Sequence, residues 1–174
     1  LKASGHKLKS LVSASAIGIY GNRRDEKLSE DSRLDVNFLG DLCQRWELEA
    51  NRFKELGIRT SIFRLGVVLG SGGGALEKMH FPFSIGMGGP IGMGKNYMSW
   101  IHVDDLVEMI LFAIESRQIE GVYNAVSPNP SRNREFSQEF ARSLGRPCLF
   151  PIPPFMLKLI FGEMSQILTD SQFV

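Results

Sequence analysis

The sequence contains few cysteines, little net charge and no long apolar run. Its two cysteines, Cys43 and Cys148, form neither a metal-binding spacing nor a disulfide framework, so we expect no metal site and a reducing, cytoplasmic location. The formal net charge of +1 provides no electrostatic basis for binding nucleic acid or an anionic membrane. No apolar stretch approaches the roughly 20 residues of a membrane span, and the N-terminal residues lack a signal-peptide pattern.

Glycine is abundant, yet the glycine patterns of phosphate-binding loops are missing. Neither G-x-G-x-x-G between a strand and a helix nor G-x-x-x-x-G-K-[ST] occurs, so a pyrophosphate site is not predicted within these residues. Many of the glycines lie in residues 70–98, together with Met79, Met87 and Met93. This segment is either a mobile cap over a site or a long structural connection, and the sequence leaves both open.

Strand-like and helical patterns alternate along the 174 residues. Apolar side chains at steps of three and four predict an amphipathic helix over residues 38–56, ending at Gly57, with Trp46 in the core. Residues 22–37 are highly charged and predict an exposed loop. The alternation predicts an α/β fold with a parallel sheet. Further predicted strands are 58–64, 99–103 and 122–126; further predicted helices begin at Asp104 as N-cap and near Asn133, and the last covers 155–168.

The ends of the sequence predict a piece of a larger fold. Residues 1–4 have the pattern of a helix end, placed directly before a buried strand, and the last residues stop without an obvious terminus.

Residues 11–21 dominate the functional interpretation. Leu11 and Val12 open a buried strand that continues into the small residues Ser13, Ala14 and Ser15. We expect these three to end a central parallel strand, where small side chains allow a ligand to approach the backbone. The alternative is a plain strand that runs into a Ser/Gly loop.

Five segments, in order, resemble the extended short-chain dehydrogenase/reductases, the NAD(P)-dependent epimerase/dehydratase family. Together they span nearly the whole chain, and residues 43–47 and 88–92 further resemble an atypical epimerase-like subgroup, some of whose members are called cell-division inhibitors. The five segments are Ser-Ala-Ser-Ala-Ile-Gly-Ile-Tyr-Gly (13–21), Arg-Leu-Gly-Val-Val-Leu-Gly (64–70), Trp-Ile-His-Val-Asp-Asp-Leu (100–106), Gly-Val-Tyr-Asn-Ala-Val-Ser (121–127) and Ser-Leu-Gly-Arg-Pro (143–147).

The resemblance implies a Rossmann-like, doubly wound parallel sheet, of which residues 1–174 form the C-terminal part. Residues 1–70 would be the second half of the dinucleotide-binding sheet, and residues 71–174 would be the substrate-side region. The implied cofactor is NADP or NAD, whose binding would need an N-terminal half.

The resemblance gives roles to Ser15 and to residues 65–67, and the positions of Arg64, His102, Lys95 and Trp100 in the predicted elements suggest roles for these four. Ser15 would help to polarise a substrate hydroxyl or carbonyl. Arg64 would either orient the cofactor or pair with a carboxylate, and His102 is expected to be a buried, hydrogen-bonded histidine. Residues expected at the cofactor are Ser13, Ala14, Ser15, Arg64, Leu65, Gly66 and Val67; those expected at the substrate are Tyr20, Lys95 and Trp100.

The sequence departs from this family at its catalytic Tyr-x-x-x-Lys pair. In the matching register stand Cys43 and Glu47, which become the remaining catalytic candidates beside Ser15. A neighbouring carboxylate would raise the pKa of the Cys43 thiol, and Cys43 is expected to be a small buried residue. Glu47 borders the polar positions Gln44 and Asn51 and is expected to face solvent, although only a buried Glu47 near Ser15 could act in catalysis.

Two functions remain open at this point. The first is a nucleotide-sugar epimerase-like protein or oxidoreductase that uses NAD(P) on a small-molecule substrate. The second is a non-catalytic dinucleotide-binding sensor or interaction protein that has lost the Tyr-x-x-x-Lys pair. Either is compatible with a homo-oligomer.

Overall fold

The computed structural model describes residues 8–161 and 169–174, so the helix end predicted at residues 1–4 and the final part of the last predicted helix lie outside it. The strands are β1 (Ser10–Ala16), β2 (Arg59–Leu65), β3 (Val67–Leu69), β4 (Tyr97–Met98), β5 (Trp100–His102), β6 (Gly121–Ala125) and β7 (Ser131–Arg132). The helices are α1 (Phe38–Asn51), α2 (Gly74–Ser84), α3 (Val103–Glu115), α4 (Asn133–Ser143) and α5 (Pro154–Phe161). The predicted α/β, Rossmann-like class is confirmed.

The main sheet has three parallel strands in the order β1-β2-β6. Among the described strands, β1 is therefore an edge strand and β2 is the central one. The register places Ser15 opposite Arg64, and Arg64 opposite Asn124. Because residues paired across parallel strands point to the same face, these three side chains share one face near the carboxyl ends of their strands.

Two small sheets accompany the main one. The strand predicted over Trp100–Val103 is β5, which pairs in parallel with β3, while β4 and β7 form an antiparallel pair. Gly66 allows the chain to pass from β2 into β3, because a Cβ atom at this position would lie 2.6 Å from the backbone oxygen of Ser99. A larger residue at position 66 would push the connection between β2 and β3 away from the backbone at Ser99.

Helix α1 begins at a side-chain cap. The Asn37 side chain accepts a hydrogen bond from the Gly40 backbone amide at 2.7 Å, as expected of an asparagine N-cap. Gly40 permits close contact with the preceding loop, since its Cβ atom would lie 2.4 Å from the Asp35 backbone oxygen. The helix ends at Asn51, and a short 3-10 turn leads to Gly57, whose φ of 71° is left-handed.

The prediction that Trp46 lies in the core is wrong. Trp46 is 58% exposed, whereas Cys43, Glu47 and Ala50 form the buried face of α1. Successive helical residues point about 100° apart, so burial of Glu47 turns Trp46 away from the sheet.

The start of α3 also differs from the prediction. His102, and not Asp104, is the N-cap: its Nδ1 atom accepts from the Asp104 amide at 3.3 Å. The expected buried histidine is therefore wrong as well, since the His102 side chain is 49% exposed. Capping keeps the imidazole at the helix end, where it meets solvent.

The glycine-rich segment 70–98 contains a helix, α2, that the sequence did not predict. Phe83 is 1% exposed and its ring lies 5.0 Å from that of Phe140 on α4. The first turns of the helix, from Ala75 to Met79, consist of strong helix formers, so local propensity and this packing both favour it.

The charged segment 22–37 is not uniformly exposed, contrary to the prediction. Leu28 is buried in an apolar cluster, and its backbone amide donates to the Phe173 oxygen at 2.7 Å. The loop is therefore fixed to the body of the domain, across the end of β1. The other members of this buried cluster are Ile17, Ile19, Tyr20 and Cys43.

Candidate functional site

The site begins at the carboxyl end of β1, where Ser15 meets helix α1. The Ser15 hydroxyl donates a hydrogen bond of 2.7 Å to Oε1 of Glu47, and both residues are buried. Cys43 lies one helical turn before Glu47 on the same buried face. The three catalytic candidates from the sequence are therefore brought together in space.

Glu47 is held by a two-point ion pair with Arg64. Arg64 Nε donates to Oε1 and Nη2 donates to Oε2, both at 2.9 Å. The side chains are only 5% and 9% exposed, so the expectation that Glu47 faces solvent is wrong. Burying a carboxylate requires a compensating charge, and Arg64 supplies it from the neighbouring strand. Of the two roles open for Arg64, the structure shows the carboxylate pair.

The network continues from Arg64 through Tyr20. Arg64 Nη1 donates to the Tyr20 hydroxyl at 2.8 Å, and that hydroxyl donates to Oδ1 of Asn124 at 2.8 Å. The backbone oxygen of Glu30 accepts a further hydrogen bond from Arg64 at 3.1 Å. The Glu30 carboxylate accepts one from the backbone N–H of Asn124 at 2.7 Å. The charged loop and strand β6 are thus tied to the same guanidinium group.

Burial governs the protonation of two neutral members of the site. Burial raises the pKa of the Tyr20 phenol, although hydrogen bonds with Arg64 and Asn124 act in the opposite direction. Burial is also the main cause of a raised pKa at Cys43, and the Glu47 charge adds to it, while hydrogen bonding by Ala16 and Ser15 acts to lower it. At neutral pH both groups therefore keep their protons, so the site contains a thiol and not a thiolate.

Arg64 remains a cation in spite of its burial. Burial acts to lower the pKa of its guanidinium, but hydrogen bonds to Glu47 and Tyr20 outweigh this effect and raise the pKa. The site consequently contains one ion pair that is surrounded by neutral groups.

The remaining predicted residues lie around this network or apart from it. On β1, Ser13 is half-buried and Ala14 is exposed, and both precede Ser15. Leu65, Gly66 and Val67 follow Arg64 directly. Trp100 lies beside Val67 in the β3-β5 pair, whereas Lys95 is exposed and only its backbone oxygen accepts a bond, from Arg132 at 2.5 Å. Tyr20 is fully buried within the network and not on an open surface.

The sequence did not single out Glu30 or Asn124. Asn124 lies within the Gly-Val-Tyr-Asn-Ala segment that carried part of the family resemblance, so its position was a usable signal. Glu30 lies in a charged run of no regular period and gave no such signal. Over the described ranges, no group of three or more His, Cys, Asp and Glu side chains could hold a metal ion, and no helix could cross a membrane.

Comparison with known proteins gives clear relatives, although no protein-family model matches the chain. Epimerase family protein YfhF of Bacillus subtilis is 41% identical over 167 residues, which cover 95% of this chain and 55% of the relative. The chloroplastic SDR39U1 homolog of Arabidopsis thaliana is 40% identical over 167 residues, covering 94% and 47%. The crystal structure of human SDR39U1 (isoform 2) with NADPH has a TM-score of 0.91 at 34% identity, covering 99% of this chain and 59% of that one.

The chain thus spans about half the length of the curated relatives that it matches. Solved structures that share its fold include dTDP-glucose 4,6-dehydratase of Bacillus anthracis in complex with NAD, with a TM-score of 0.68. These matches confirm the resemblance that the sequence motifs indicated. The chain is similar over nearly its whole length to the epimerase family proteins, and its fold is that of the extended short-chain NAD-dependent epimerases and dehydratases.

Proposed function

We propose that this chain supplies the proton-transfer side of an NAD(P)-dependent oxidoreductase or epimerase-like enzyme whose substrate is a small hydroxyl or carbonyl compound, of nucleotide-sugar type. The observation that carries the proposal is the 2.7 Å hydrogen bond from Ser15 to the buried Glu47 carboxylate. In this proposal, residues 1–70 form the second half of the dinucleotide-binding sheet and residues 71–174 form the substrate side.

The proposed chemistry uses Ser15 as the contact to substrate and Glu47 as the acceptor behind it. When a substrate hydroxyl is oxidised, its proton passes to Ser15 Oγ, and the proton of Ser15 passes to Glu47. Reduction of a carbonyl runs the same transfers in reverse, so protons balance in both directions. Arg64 fixes the carboxylate in line with Ser15 through its two bonds, each of 2.9 Å.

The residues at this edge fit the nicotinamide end of NADP or NAD. The small side chains of Ser13 and Ala14 leave the end of β1 accessible. Leu65 to Val67 lie where the neighbouring strand β2 ends and β3 begins. When bound, the cofactor would supply the hydride acceptor or donor. The NADPH in the solved human relative supports this assignment. The described residues contain no G-x-G-x-x-G turn between a strand and a helix, so we expect these residues alone to bind the cofactor weakly or not at all.

Cys43 has a secondary part in this proposal. Its thiol stays protonated and it packs in the apolar cluster beside Ser15, so a nucleophilic thiolate is not expected. We therefore assign it to packing against the end of β1, in spite of its place in the register of the missing tyrosine.

One observation favours the second candidate, a non-catalytic dinucleotide-binding protein. Three donors from within the protein already bind the Glu47 carboxylate: Ser15 and two atoms of Arg64. A carboxylate whose oxygens are bound in this way has a structural role that needs no substrate. A purely structural network would use the same contacts.

The two candidates differ in how variants of the full-length protein behave. Turnover on a panel of nucleotide sugars and small carbonyl compounds is followed by nicotinamide absorbance for net oxidation or reduction and by chromatography of the products for epimerisation, which leaves the cofactor unchanged. We expect Ser15→Ala and Glu47→Gln to lower turnover by about 100-fold or more, and Cys43→Ala to change it only a few-fold. Cofactor binding that is retained, with no turnover on any compound of the panel, would support the non-catalytic candidate.

Cytoplasmic location, a small-molecule partner and self-association stay predictions. One relative is chloroplastic, so the family does not share a single compartment.

A further inference from the structure

A second concave surface is formed by residues that take no part in the Ser15–Glu47 network. It lies between one face of α4 and two short segments that pair through Ile91 and Ile152. The enclosed part has a volume of about 230 Å³, and an open groove continues from it past the C-terminal end of α4. Gln138 and Cys148 line both parts, so the two form one continuous cleft.

Backbone hydrogen bonds fix the walls of this cleft. Ile152 donates to the Pro90 oxygen and Gly92 donates to the Ile152 oxygen, both at 2.8 Å. The Arg134 amide donates to the Gly94 oxygen at 3.0 Å, which attaches the same loop to the start of α4. A cavity whose walls are bonded in this way keeps its shape before a ligand arrives, as small-molecule sites commonly do.

The polar side of the cleft is cationic. Arg134 lines the smaller part of the cleft, and Arg142 and Arg146, on either side of the left-handed turn at Gly145 (φ of 64°), line the groove that continues from it. Arg142 bonds to Glu139 at 2.7 Å, whereas Arg134 and Arg146 have no side-chain partner among the described residues. Unpaired cations along one wall of a concave surface attract anions to it.

The opposite side of the cleft is apolar. Pro90 and Pro151 line it, and the side chains of Met93 and Leu149 are 72% and 69% exposed at its rim. Large apolar side chains that stay in solvent around a concave surface indicate a binding site. The enclosed volume suits a body of about one ring and is too small for a dinucleotide.

We propose that this cleft binds a phosphate monoester with an apolar or aromatic body. The phosphate oxygens accept hydrogen bonds from Arg134 and Arg146, since guanidinium groups bind phosphate with two parallel donors. Gln138, which lines both parts of the cleft, adds a neutral donor, and the body of the ligand lies against Met93 and Leu149. The site is separate from the proposed function and does not depend on it.

Phenyl phosphate is the probe, added to the full-length protein in the presence of saturating NADP. Inorganic phosphate tests the anion alone and phenol tests the body alone. Binding is measured by calorimetry, and protection of Cys148 from alkylation is measured by peptide mass spectrometry. Cys148 reports on the cleft because it lines it and because Arg134 acts on its thiol, lowering a pKa that burial raises.

We expect phenyl phosphate to bind more tightly than either half-probe and to slow the alkylation of Cys148. Arg134→Gln and Arg146→Gln should each weaken binding by about tenfold or more. Arg117→Gln, an exposed arginine in the connection between α3 and β6, is the matched control and should leave binding unchanged. Thermal melts check that every variant is folded.

Three results would overturn the proposal. The first is no binding of phenyl phosphate, or binding without protection of Cys148. The second is an equal loss in the Arg117 variant, which would indicate only a general effect of charge. The third is displacement of phenyl phosphate when the NADP concentration is raised further, which would place the probe in the cofactor site. None of these results bears on turnover at Ser15, so the two proposals are tested separately.

Discussion

Ser15 and Glu47 are separated by 32 residues in the sequence, yet the serine hydroxyl donates a 2.7 Å hydrogen bond to the glutamate carboxylate. Arg64 holds that carboxylate from the other side with two bonds of 2.9 Å. This contact joins the strand that resembled the family's serine segment to the helix that lacks the family's Tyr-x-x-x-Lys. Variants of these residues measure what the contact contributes to the free energy of unfolding.

Ser15→Ala should cost about 1–3 kcal/mol of unfolding free energy, because it removes a buried hydrogen bond to a charged group. Ser13→Ala is the matched control on the same strand. The Ser13 hydroxyl makes only a 3.5 Å contact with the Ala14 oxygen, so Ser13→Ala should lower the free energy of unfolding by less than about 0.5 kcal/mol. Urea denaturation measures both, and equal losses in the two variants would show that the Ser15–Glu47 bond adds nothing to stability.

Removing either partner of the Arg64–Glu47 pair should destabilise the protein by about 3–5 kcal/mol, because the remaining charge is left buried. The double variant Glu47→Leu/Arg64→Met should cost about 1–3 kcal/mol less than the sum of its single variants. The exposed pair Glu49–Arg52, with 61% and 63% exposure, serves as the control cycle. Its coupling should stay below about 0.5 kcal/mol. Additive losses at Glu47 and Arg64 would contradict the prediction.

Stability should decrease at alkaline pH because of Tyr20. Burial raises the pKa of this phenol in the folded protein above its usual value of 10.0. Above that pH the unfolded chain loses the phenol proton while the folded chain keeps it. The contribution of the protonated Tyr20 phenol to the free energy of unfolding is therefore complete below pH 10.0 and is lost as the pH rises through the pKa of the folded protein. Urea denaturation across this range should show a flatter alkaline decline for Tyr20→Phe. Parallel declines for the two proteins would argue against this assignment.

Gly89→Ala should destabilise the protein by about 1–3 kcal/mol. Its Cβ atom would lie 2.0 Å from the backbone oxygen of Phe150, and backbone atoms cannot move aside as a flexible side chain can. Gly18→Ala is the control, because its Cβ atom would meet only Leu39 Cδ1 at 3.9 Å. That change should be neutral or stabilising by up to about 1 kcal/mol. Thermal denaturation of the two variants decides the matter, and a neutral Gly89→Ala would show that the loop yields.

Local pattern in the sequence was sufficient for the three strands of the main sheet, for β5 and for most of the helices, but not for the short strands β3, β4 and β7. The run from Leu11 to Ser15 predicted β1, and the spacing of apolar residues predicted α1 and α3. These elements depend on neighbours along the chain, which the sequence displays directly. The motif segments also led to the fold and to the family resemblance, both of which the comparisons confirmed.

The direction in which α1 faces was decided by tertiary structure. The helix carries apolar residues on two sides, with Trp46 on one and Cys43 on the other, so periodicity alone did not choose between them. The buried side is the one that includes Glu47, because Arg64 arrives from β2 to neutralise the carboxylate. A charge is buried only when a partner from elsewhere in the chain meets it, and no local pattern records that partner.

The same reason separates the rest of the site from the sequence. Glu30 and Asn124 are 94 residues apart, and their bond exists because the sheet register brings β6 beside the loop that crosses the end of β1. Phe83 on α2 likewise packs against Phe140 on α4, a contact that no local spacing records. The sequence by itself determined the longer strands, most of the helices and their order, since these follow from short-range spacing. The tertiary structure decided which charges are paired and which faces are buried, since these depend on contacts that only the folded chain makes.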